Sequence, residues 1–582
     1  MTKTIKRLSE KQNNIETCSS VLSRVYANRN VMSEDELDYS LNKLIPLNQL
    51  KGVDNAAKLI SNAIQQDLII VIVGDFDVDG ATSTTVAVKA LRSMGAKHVE
   101  FLVPNRFEFG YGLTPEIVNV AIEQFNPDMI ITVDNGISSI EGVKAAKNNN
   151  ISVIVTDHHL PAETLPAADA IVNPNQPGDT FPSKMLAGVG VIFYIMLALR
   201  ALLREQEWFQ KEKLAEPNLA ELLDLVALGT VADVVPLDYN NRILVSQGLA
   251  RIRSGHVCAG IQALIDISDR NAEQLVASDF GFAIAPRLNA AGRLDDMSLG
   301  IECLLTNDLA TAHNIAQELD DINKARREIE ADMKQQAMFL LDKIKSDTQS
   351  SELPFGLCLF DKNFHEGVVG ILASRVKDLW HRPVIVFAKT GDNLLKGSGR
   401  SIKGFHIRDA LDSVAAKHPD LIAKFGGHAM AAGLTIAEEN YELFIQAFDD
   451  VVKAHLTIDD LQETLLSDGE LLESEFSMKT AEELRYAGPW GQTFQEPLFD
   501  GVFRVINKRV VGQNHLKLLL QPEKSDLVID AIAFNTTDEH WLPLSPGQIQ
   551  KVNMVYRLDV NTFQGQQNLQ LMIAHIEPLN LS

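Results

Sequence analysis

The hydrophobic pattern of the chain changes period several times. Leu68–Val73 is an unbroken run of branched aliphatics, as expected of a strand covered on both faces in a parallel sheet. Shorter apolar runs follow at Val99–Val103, Met129–Val133, Val153–Thr156 and Ala170–Val172, with helical spacing between them, as at Thr84–Met94. Further apolar helices are predicted at about Gly188–Leu203 and just before Asp233. This alternation, from about residue 54 to 260, predicts a parallel sheet wound with helices. From Leu309 to Lys345 the apolar residues Ile315, Leu319, Ile322, Ile329, Met333, Leu340 and Ile344 recur at three- and four-residue steps without Pro or Gly. That spacing predicts one helix of about 35 residues and about 50 Å, long enough to act as a strut between domains.

A second α/β segment is predicted at Leu353–Leu456, with strands at Gly356–Phe360 and Val384–Phe387. Two glycine-rich stretches in it, Lys396–Ser401 (KGSGRS) and Lys424–Gly433 (KFGGHAMAAG), are expected to form loops. After about residue 465 the period falls to two, at Gly501–Val511, Leu516–Gln521, Ala531–Phe534, Val552–Leu558 and Leu569–Ile576. Turns are expected at Gly512-Gln513-Asn514 and Gly547-Gln548. Five short strands suit a small barrel of oligonucleotide-binding type. The polar first 45 residues, with short apolar spacings around Val21, Leu22 and Val25, predict short helices. The expected division is therefore 1–45, 46–308, 309–350, 351–460 and 465–582.

Composition narrows this picture only in places. A chain of 582 residues is too long for one core. Its 53 Lys and Arg against 77 Asp and Glu give a formal charge of −24, which argues against a non-specific duplex coat. A local basic groove or a cation cluster still recruits phosphate despite an acidic exterior. No apolar run reaches about 18 residues and no charged-then-apolar leader opens the chain, which predicts a cytoplasmic protein off the membrane. Cys18, Cys258, Cys303 and Cys358 are widely spaced and read as small hydrophobes, neither disulfides nor zinc ligands.

The candidate chemistry sits at the predicted strand ends. The first strand runs into Asp75, Asp77 and Asp79, the run at Met129 into Asp134, and the run at Val153 into Asp157, His158 and His159. Asp233 follows an apolar helix, where it reads either as a cap or as a further ligand. One Asp explains a helix cap, but three in five residues repel one another unless a cation neutralises them. Hard oxygens with one or two imidazoles suit Mn²⁺ or Mg²⁺ better than zinc. So many carboxylates exceed the needs of one ion, and two ions bridged by Asp134 suit hydrolysis of a phosphoester or phosphoanhydride. Arg287, Asn289 and Arg293 lie among small residues and read either as phosphate contacts or as ordinary packing. In the glycine-rich stretches, Arg400 and Ser401 stand beside potential anion nests, and His365 and His428 lie in the same segment. Lys508, Arg509, His515 and Lys517 put positive charge on the barrel strands. Trp490 with Phe494, or Phe499 with Phe503, are candidate stacking surfaces, with core packing as the alternative.

GDFDVDG, VDNG, TDHH and GTVAD resemble the four motifs of the DHH phosphoesterase superfamily, and KGSGRS and GGHAMAAG resemble its DHHA1 partner domain. The order of these motifs, the segments PNRFEFGYGL and APRLNAAGRL, the long helix and the terminal barrel are similar to the RecJ branch of that superfamily. The resemblance implies a parallel-sheet DHH domain joined by the helix to a smaller α/β DHHA1 domain, with a C-terminal OB-fold. It implies a 5′→3′ exonuclease specific for single-stranded DNA, active in recombination and repair with two Mn²⁺ or Mg²⁺ ions. By the same resemblance Asp77 and Asp134 hold one ion, and Asp79, Asp134, His158 and Asp233 the other. Asp75 and Asp157 support them, and His159 lies near the scissile phosphate. Arg106, one of Arg287 and Arg293, and Ser401 grip the 5′ end or the phosphates that follow, and His428 faces the site. The implied partners are single-stranded-DNA-binding protein and, functionally, a RecQ-type helicase, with the enzyme itself a monomer.

Overall fold

A computed structural model describes residues 3–9, 13–104, 112–347, 353–391, 393–512, 515–534, 536, 551–563 and 566–579. The chain falls into two compact units, one of Leu8–Ile322 with Asp468–Ser582, the other of Met1–Arg7 with Asn323–Ser467.

The chain opens with strand β1 (Thr4–Arg7), where the sequence predicted only helix. One α-helix, Ser20–Asn28, and three single 3-10 turns follow it. The larger unit then builds a five-stranded sheet from β2 (Ile70–Gly74), β3 (Val99–Leu102), β4 (Met129–Val133), β5 (Ser152–Thr156) and β6 (Ala170–Val172). The strand order is β3-β2-β4-β5-β6, with every pairing parallel. All five residues of β2 and of β4 are buried, as their unbroken apolar runs require. The helix after β2 runs Val78–Ser93, so it starts six residues earlier than its apolar spacing suggests. Its first two turns are polar (Asp79, Thr82, Ser83, Thr84, Thr85), and each is buried. Thr82, Thr84 and Thr85 each donate their hydroxyl to a carbonyl one turn back, which lets polar residues sit inside.

The helix Leu309–Asp347 has 39 residues. It passes from one unit to the other after Ile322.

The smaller unit contains β7 (Leu357–Phe360), β8 (Val384–Thr390), β9 (Leu394–Arg400), β10 (Lys424–Gly427) and β11 (Ala431–Ala437) in the order β10-β11-β9-β8-β7. The two glycine-rich stretches are therefore mostly strands rather than loops, with residues 428–430 joining β10 to β11. Two of the glycines have a packing reason: a Cβ on Gly397 would lie 2.6 Å from the Phe387 ring and the Leu434 side chain, and one on Gly399 would lie 2.7 Å from Ile407. β12 (Thr464–Ser467) closes this unit by pairing in parallel with β1.

The remaining strands, β13 (Phe499–Val511), β14 (His515–Pro522), β15 (Ile529–Ala533), β16 (Lys551–Phe563) and β17 (Gln566–Pro578), close into a barrel in the order β13-β14-β15-β17-β16. Four of its five junctions are antiparallel, and the β15–β17 junction is parallel. The predicted turn at Gly547-Gln548 lies outside the described residues, as do Gln513 and Asn514. Trp490, Phe494, Phe499 and Phe503 are at most 7 % exposed and belong to the core, so none of them is a stacking platform. That core is continuous with the core of the β2–β6 domain. Arg29 stacks on Trp490 at 5.2 Å and forms a two-pronged ion pair with Asp468 at 2.9 and 3.0 Å. Arg242 lies 4.3 Å over the Phe494 ring. Removal of everything after residue 465 would strip these aromatics from that shared core, at a cost typical of large core deletions, about 3–5 kcal/mol for each ring.

Candidate metal centre

Strand register sets the site. Gly74, Val133 and Thr156 pair across β2, β4 and β5, so the next residues, Asp75, Asp134 and Asp157, leave three neighbouring strands side by side. The chain goes from β2 to β3 on one side and returns to β4 on the other. The crevice between β2 and β4 is thus the topological switch point where open α/β sheets bind ligands. Asp134 has φ +60°, a left-handed conformation that turns the chain out of the strand. Asn135 beside it donates its side-chain amide to the carbonyls of Val73 and Val133 at 3.0 and 2.9 Å, tying the two strand ends together.

Helices supply the other groups. Asp77 caps the helix Val78–Ser93, accepting from the Gly80 amide at 3.0 Å, while Asp79 lies in its first turn and is 1 % exposed. Asp233 ends the helix Leu223–Ala232. His158 Nε2 lies 3.1 Å from Asp134 Oδ1 and 3.4 Å from Asp233 Oδ2. Three sets of donor atoms converge within 4.8 Å: Asp75, Asp77 and Asp134; Asp79, His158 and Asp233; and Asp134, His158 and His159. Two oxygen-rich sets next to each other, with Asp134 in the first and His158 in the second and both in the third, fit a pair of divalent cations.

The electrostatics fit too. Burial, reinforced by the Asp77 charge, raises the Asp79 pKa to about 7, although its two backbone donors work the other way. Asp75, Asp134 and Asp233 are also pushed well above the carboxylate range, first by burial and then by the charge of Asp77 on Asp75 and of Asp79 and Asp77 on the other two. Cations held among them would reverse this penalty. Asp157 behaves differently. Burial alone would raise its pKa, but the bond to and charge of His159, together with backbone donors such as Ile137 N at 2.9 Å, hold it low. Its carboxylate also accepts from the amides of His158 and His159 at 2.7 and 3.0 Å, and it belongs to none of the three sets. Burial would lower the pKa of His159, but its 2.7 Å bond to Asp157 and that residue's charge raise it to about 9.

This pair gives one prediction. A raised imidazole pKa contributes stability below the unfolded value of about 6.5, which is lost as pH rises through about 9. Asp157→Asn should lower the His159 pKa, as read by NMR titration. It should also slow turnover by about 10- to 100-fold, the usual cost of an outer support. A histidine titrating unchanged in the variant would refute the coupling.

Sequence reasoning did not find one set of groups. The amides of Gly188 and Val189, opening the helix Gly188–Glu205, donate to the two oxygens of Asp79 at 2.7 and 2.8 Å. A helix N-terminus is a natural place to fix an anion. A Cβ on Gly188 would lie 2.7 Å from Asp134 Oδ1, so this glycine lets the helix end approach both acids. The sole trace in the sequence is the pair of glycines in Gly188-Val189-Gly190. Gly188→Ala should displace Asp134 and weaken Mn²⁺ binding by roughly 10- to 100-fold in calorimetry. Equal binding by the two proteins would show that the glycine does not matter.

The other candidates are placed as follows. Arg106 lies outside the described residues. Arg287, Asn289 and Arg293 share the helix Ala285–Leu294. Arg287 is 9 % exposed, forms an ion pair with Asp320 at 2.8 Å and donates from its guanidinium to the carbonyl of Ala283. In the smaller unit, Arg400 ends β9 and bonds the Ser398 hydroxyl at 3.2 Å, and buried Ser401 donates its hydroxyl to the Phe405 carbonyl at 2.7 Å. His428 is exposed in the turn between β10 and β11, and His365 accepts from the Gly367 amide at 3.1 Å. On the barrel, Arg509 faces Lys517 across the β13–β14 ladder, Lys508 is its neighbour, and Lys517 lies 3.3 Å from Asp530.

Three family models match the chain: the DHH family N-terminal domain over residues 69–230, the DHHA1 domain over 354–454 and the RecJ OB domain over 467–575. The single-stranded-DNA-specific exonuclease RecJ of Dickeya dadantii is 54 % identical over 560 residues, 96 % of each chain. The RecJ exonuclease of Escherichia coli is 52 % identical over 559 residues, again 96 % of each. That of Haemophilus influenzae is 49 % identical over the full length of both. Among solved structures, RecJ from Thermus thermophilus in complex with Mn²⁺ matches with a TM-score of 0.77 at 29 % identity, over 96 % of this chain and 76 % of that one. The same protein with Mg²⁺ matches at 0.71 and 27 %, over 96 % and 75 % of the two chains.

Proposed function

The chain belongs to the RecJ family of single-stranded-DNA-specific exonucleases, and from that premise we propose that it digests single strands processively from a 5′ end, releasing 5′-mononucleotides. It is a metal-dependent nuclease whose site takes two divalent ions, Mn²⁺ or Mg²⁺. The observation that carries the reading is the level register of β2, β4 and β5, which sets acids from separate chain segments around one crevice.

On this reading Asp75, Asp77 and Asp134 hold one ion, and Asp79, His158 and Asp233 the other, with Asp134 near both. Bound ions would polarise the phosphoester and neutralise the charge that builds on it. Asp157 holds His159 in its cationic form, and the His159 ring donates a hydrogen bond to the scissile phosphate. Asp79, anchored by two amides, keeps its place when the strand moves. Arg106, Arg287 or Arg293, Asn289, Arg400 and Ser401 are assigned to the 5′ end and the next phosphates, and His428 to the same path. Arg509 and Lys517, which face each other across the β13–β14 ladder, and Lys508 beside them are assigned to a backbone contact on the barrel, with Asp530 balancing Lys517 in part. The functional division runs 46–308 for the DHH domain, 309–350 for the connecting helix, 351–460 for the DHHA1 domain and 465–582 for the OB-fold, with 1–45 as an N-terminal segment.

The proposed setting is DNA recombination, mismatch repair and base excision repair, in the cytoplasm and as a monomer. Single-stranded-DNA-binding protein would be the partner and a RecQ-type helicase would supply strands. Among the described residues no helix is long and apolar enough to cross a membrane.

A 5′-labelled long single strand, the same strand as duplex, and the dinucleotide pApA test the assignment together with Mn²⁺. Release of labelled mononucleotide from the long single strand, with the duplex left intact, is the expected result. Cleavage confined to pApA would move the chain to the short-substrate phosphodiesterases of the superfamily.

A further inference from the structure

A cavity of about 720 Å³ lies away from the metal centre, between the helical part of the β2–β6 domain and the barrel. On one wall are Arg253, Arg270 and Phe282, and on the other Arg485, Phe534 and Arg557. Large aromatics are normally inside, yet Phe282 is 78 % exposed and Phe534 50 %. Phe282 lies in a π-helical turn, Phe280–Ile284, a local distortion that recurs at functional positions. Phe534 follows β15 and meets the His515 ring edge-on at 5.0 Å. The Arg253 guanidinium lies over the Tyr486 ring at 5.1 Å.

Four arginines line this cavity in a chain of formal charge −24. Three have carboxylate partners, Arg270 with Asp279 at 3.2 Å, Arg485 with Asp559 at 3.3 Å, and Arg557 with Glu496. The balance of charge does not favour a compact anion or an acidic peptide. Flat cationic groups beside exposed rings instead suit nucleobases, which stack on either surface with little regard to sequence.

The cavity is also tied to the metal centre by one continuous helical run. From Ala277 through the π turn to Leu294 the chain stays helical. Near its far end Gly292 packs so closely on the Phe76 carbonyl that a Cβ would come within 1.9 Å, and Phe76 stands between Asp75 and Asp77. Ten residues of helix separate Gly292 from Phe282, about 15 Å. A stacked strand at about 3.4 Å per nucleotide covers that distance in roughly four residues.

We propose that this cavity is a base-stacking subsite for the substrate strand a few nucleotides beyond its cleaved end, with Phe282 and Phe534 as platforms. The inference rests on the exonuclease reading and adds a length dependence to it. A 5′-phosphorylated dT strand of about 20 nucleotides reaches the cavity, and one of two does not. Both rings are exposed, so Phe282→Ala and Phe534→Ala should fold normally. Each should raise KM for the long strand by roughly 5- to 100-fold, leave kcat unchanged, and leave cleavage of the dinucleotide as in the parent protein. Phe282→Trp should restore long-strand binding. Unchanged KM for the long strand, or an equal loss on both substrates, overturns the subsite. A parent protein that cleaves neither oligomer overturns the exonuclease reading itself.

Discussion

Asp134→Asn is expected to abolish cleavage of single-stranded DNA, by on the order of 10³-fold or more, well beyond the 10- to 100-fold of an outer-shell change. Asparagine is the informative replacement because residue 134 has φ +60°, which Asn tolerates and Ala does not. The shape of the site survives while the carboxylate common to two donor sets is lost. The same change removes one of several crowded negative charges, so the metal-free variant should melt at a higher temperature than the parent. Its stabilisation by Mn²⁺ should shrink. Loss of activity together with higher metal-free stability distinguishes a ligand from a merely structural residue. Turnover within tenfold of the parent would remove Asp134 from the centre.

The second large effect is a pH dependence that metal reverses. Asp75, Asp79, Asp134 and Asp233 all have folded pKa values above the unfolded ones, first because they are buried and then because of the neighbouring acids, Asp77 for Asp75 and Asp79, and Asp79 with Asp77 for Asp134 and Asp233. Without metal the folded state therefore holds more protons than the unfolded state. Its stability falls as pH climbs from about 4 through the raised values, about 7 for Asp79. Asp157, with its pKa held low, works in the opposite sense and loses its contribution only as pH falls through the acid range. His159 adds a further loss as pH rises through about 9. Metal must displace these protons, so its apparent affinity should weaken about tenfold per pH unit below 7 for each proton released. Thermal melts in chelator and in excess Mg²⁺, compared between about pH 5.5 and 8.5, should diverge as pH rises. Parallel melting curves would mean that the acids are not a cation site.

The glycine-rich stretches show where local reading stops. KGSGRS and GGHAMAAG carry no apolar alternation strong enough to announce a strand, yet β9 and β11 pair along seven residues. Gly397 is set by the Phe387 and Leu434 side chains on the two strands that flank β9, so no reading of the stretch alone finds its reason. The aromatics before and within the barrel fail for the same reason. Phe499 and Phe503 sit on strands whose alternation is plain, but which face closes onto the core depends on how the barrel docks. Trp490 and Phe494 lie under Arg29 and Arg242, residues more than two hundred positions earlier in the chain.

What the sequence determined by itself was the succession of buried strands and the acids at their ends. Both are local: apolar runs fix the strand, and a carboxylate cannot lie inside such a run. Tertiary structure decided which acids meet. A register that levels Gly74 with Val133 and Thr156, and a helix end more than a hundred residues beyond Asp79 that grips its carboxylate, depend on pairings between distant segments. Charge repulsion among those acids opposes the arrangement locally, and only the packed sheet and its surrounding helices supply enough burial to hold them together.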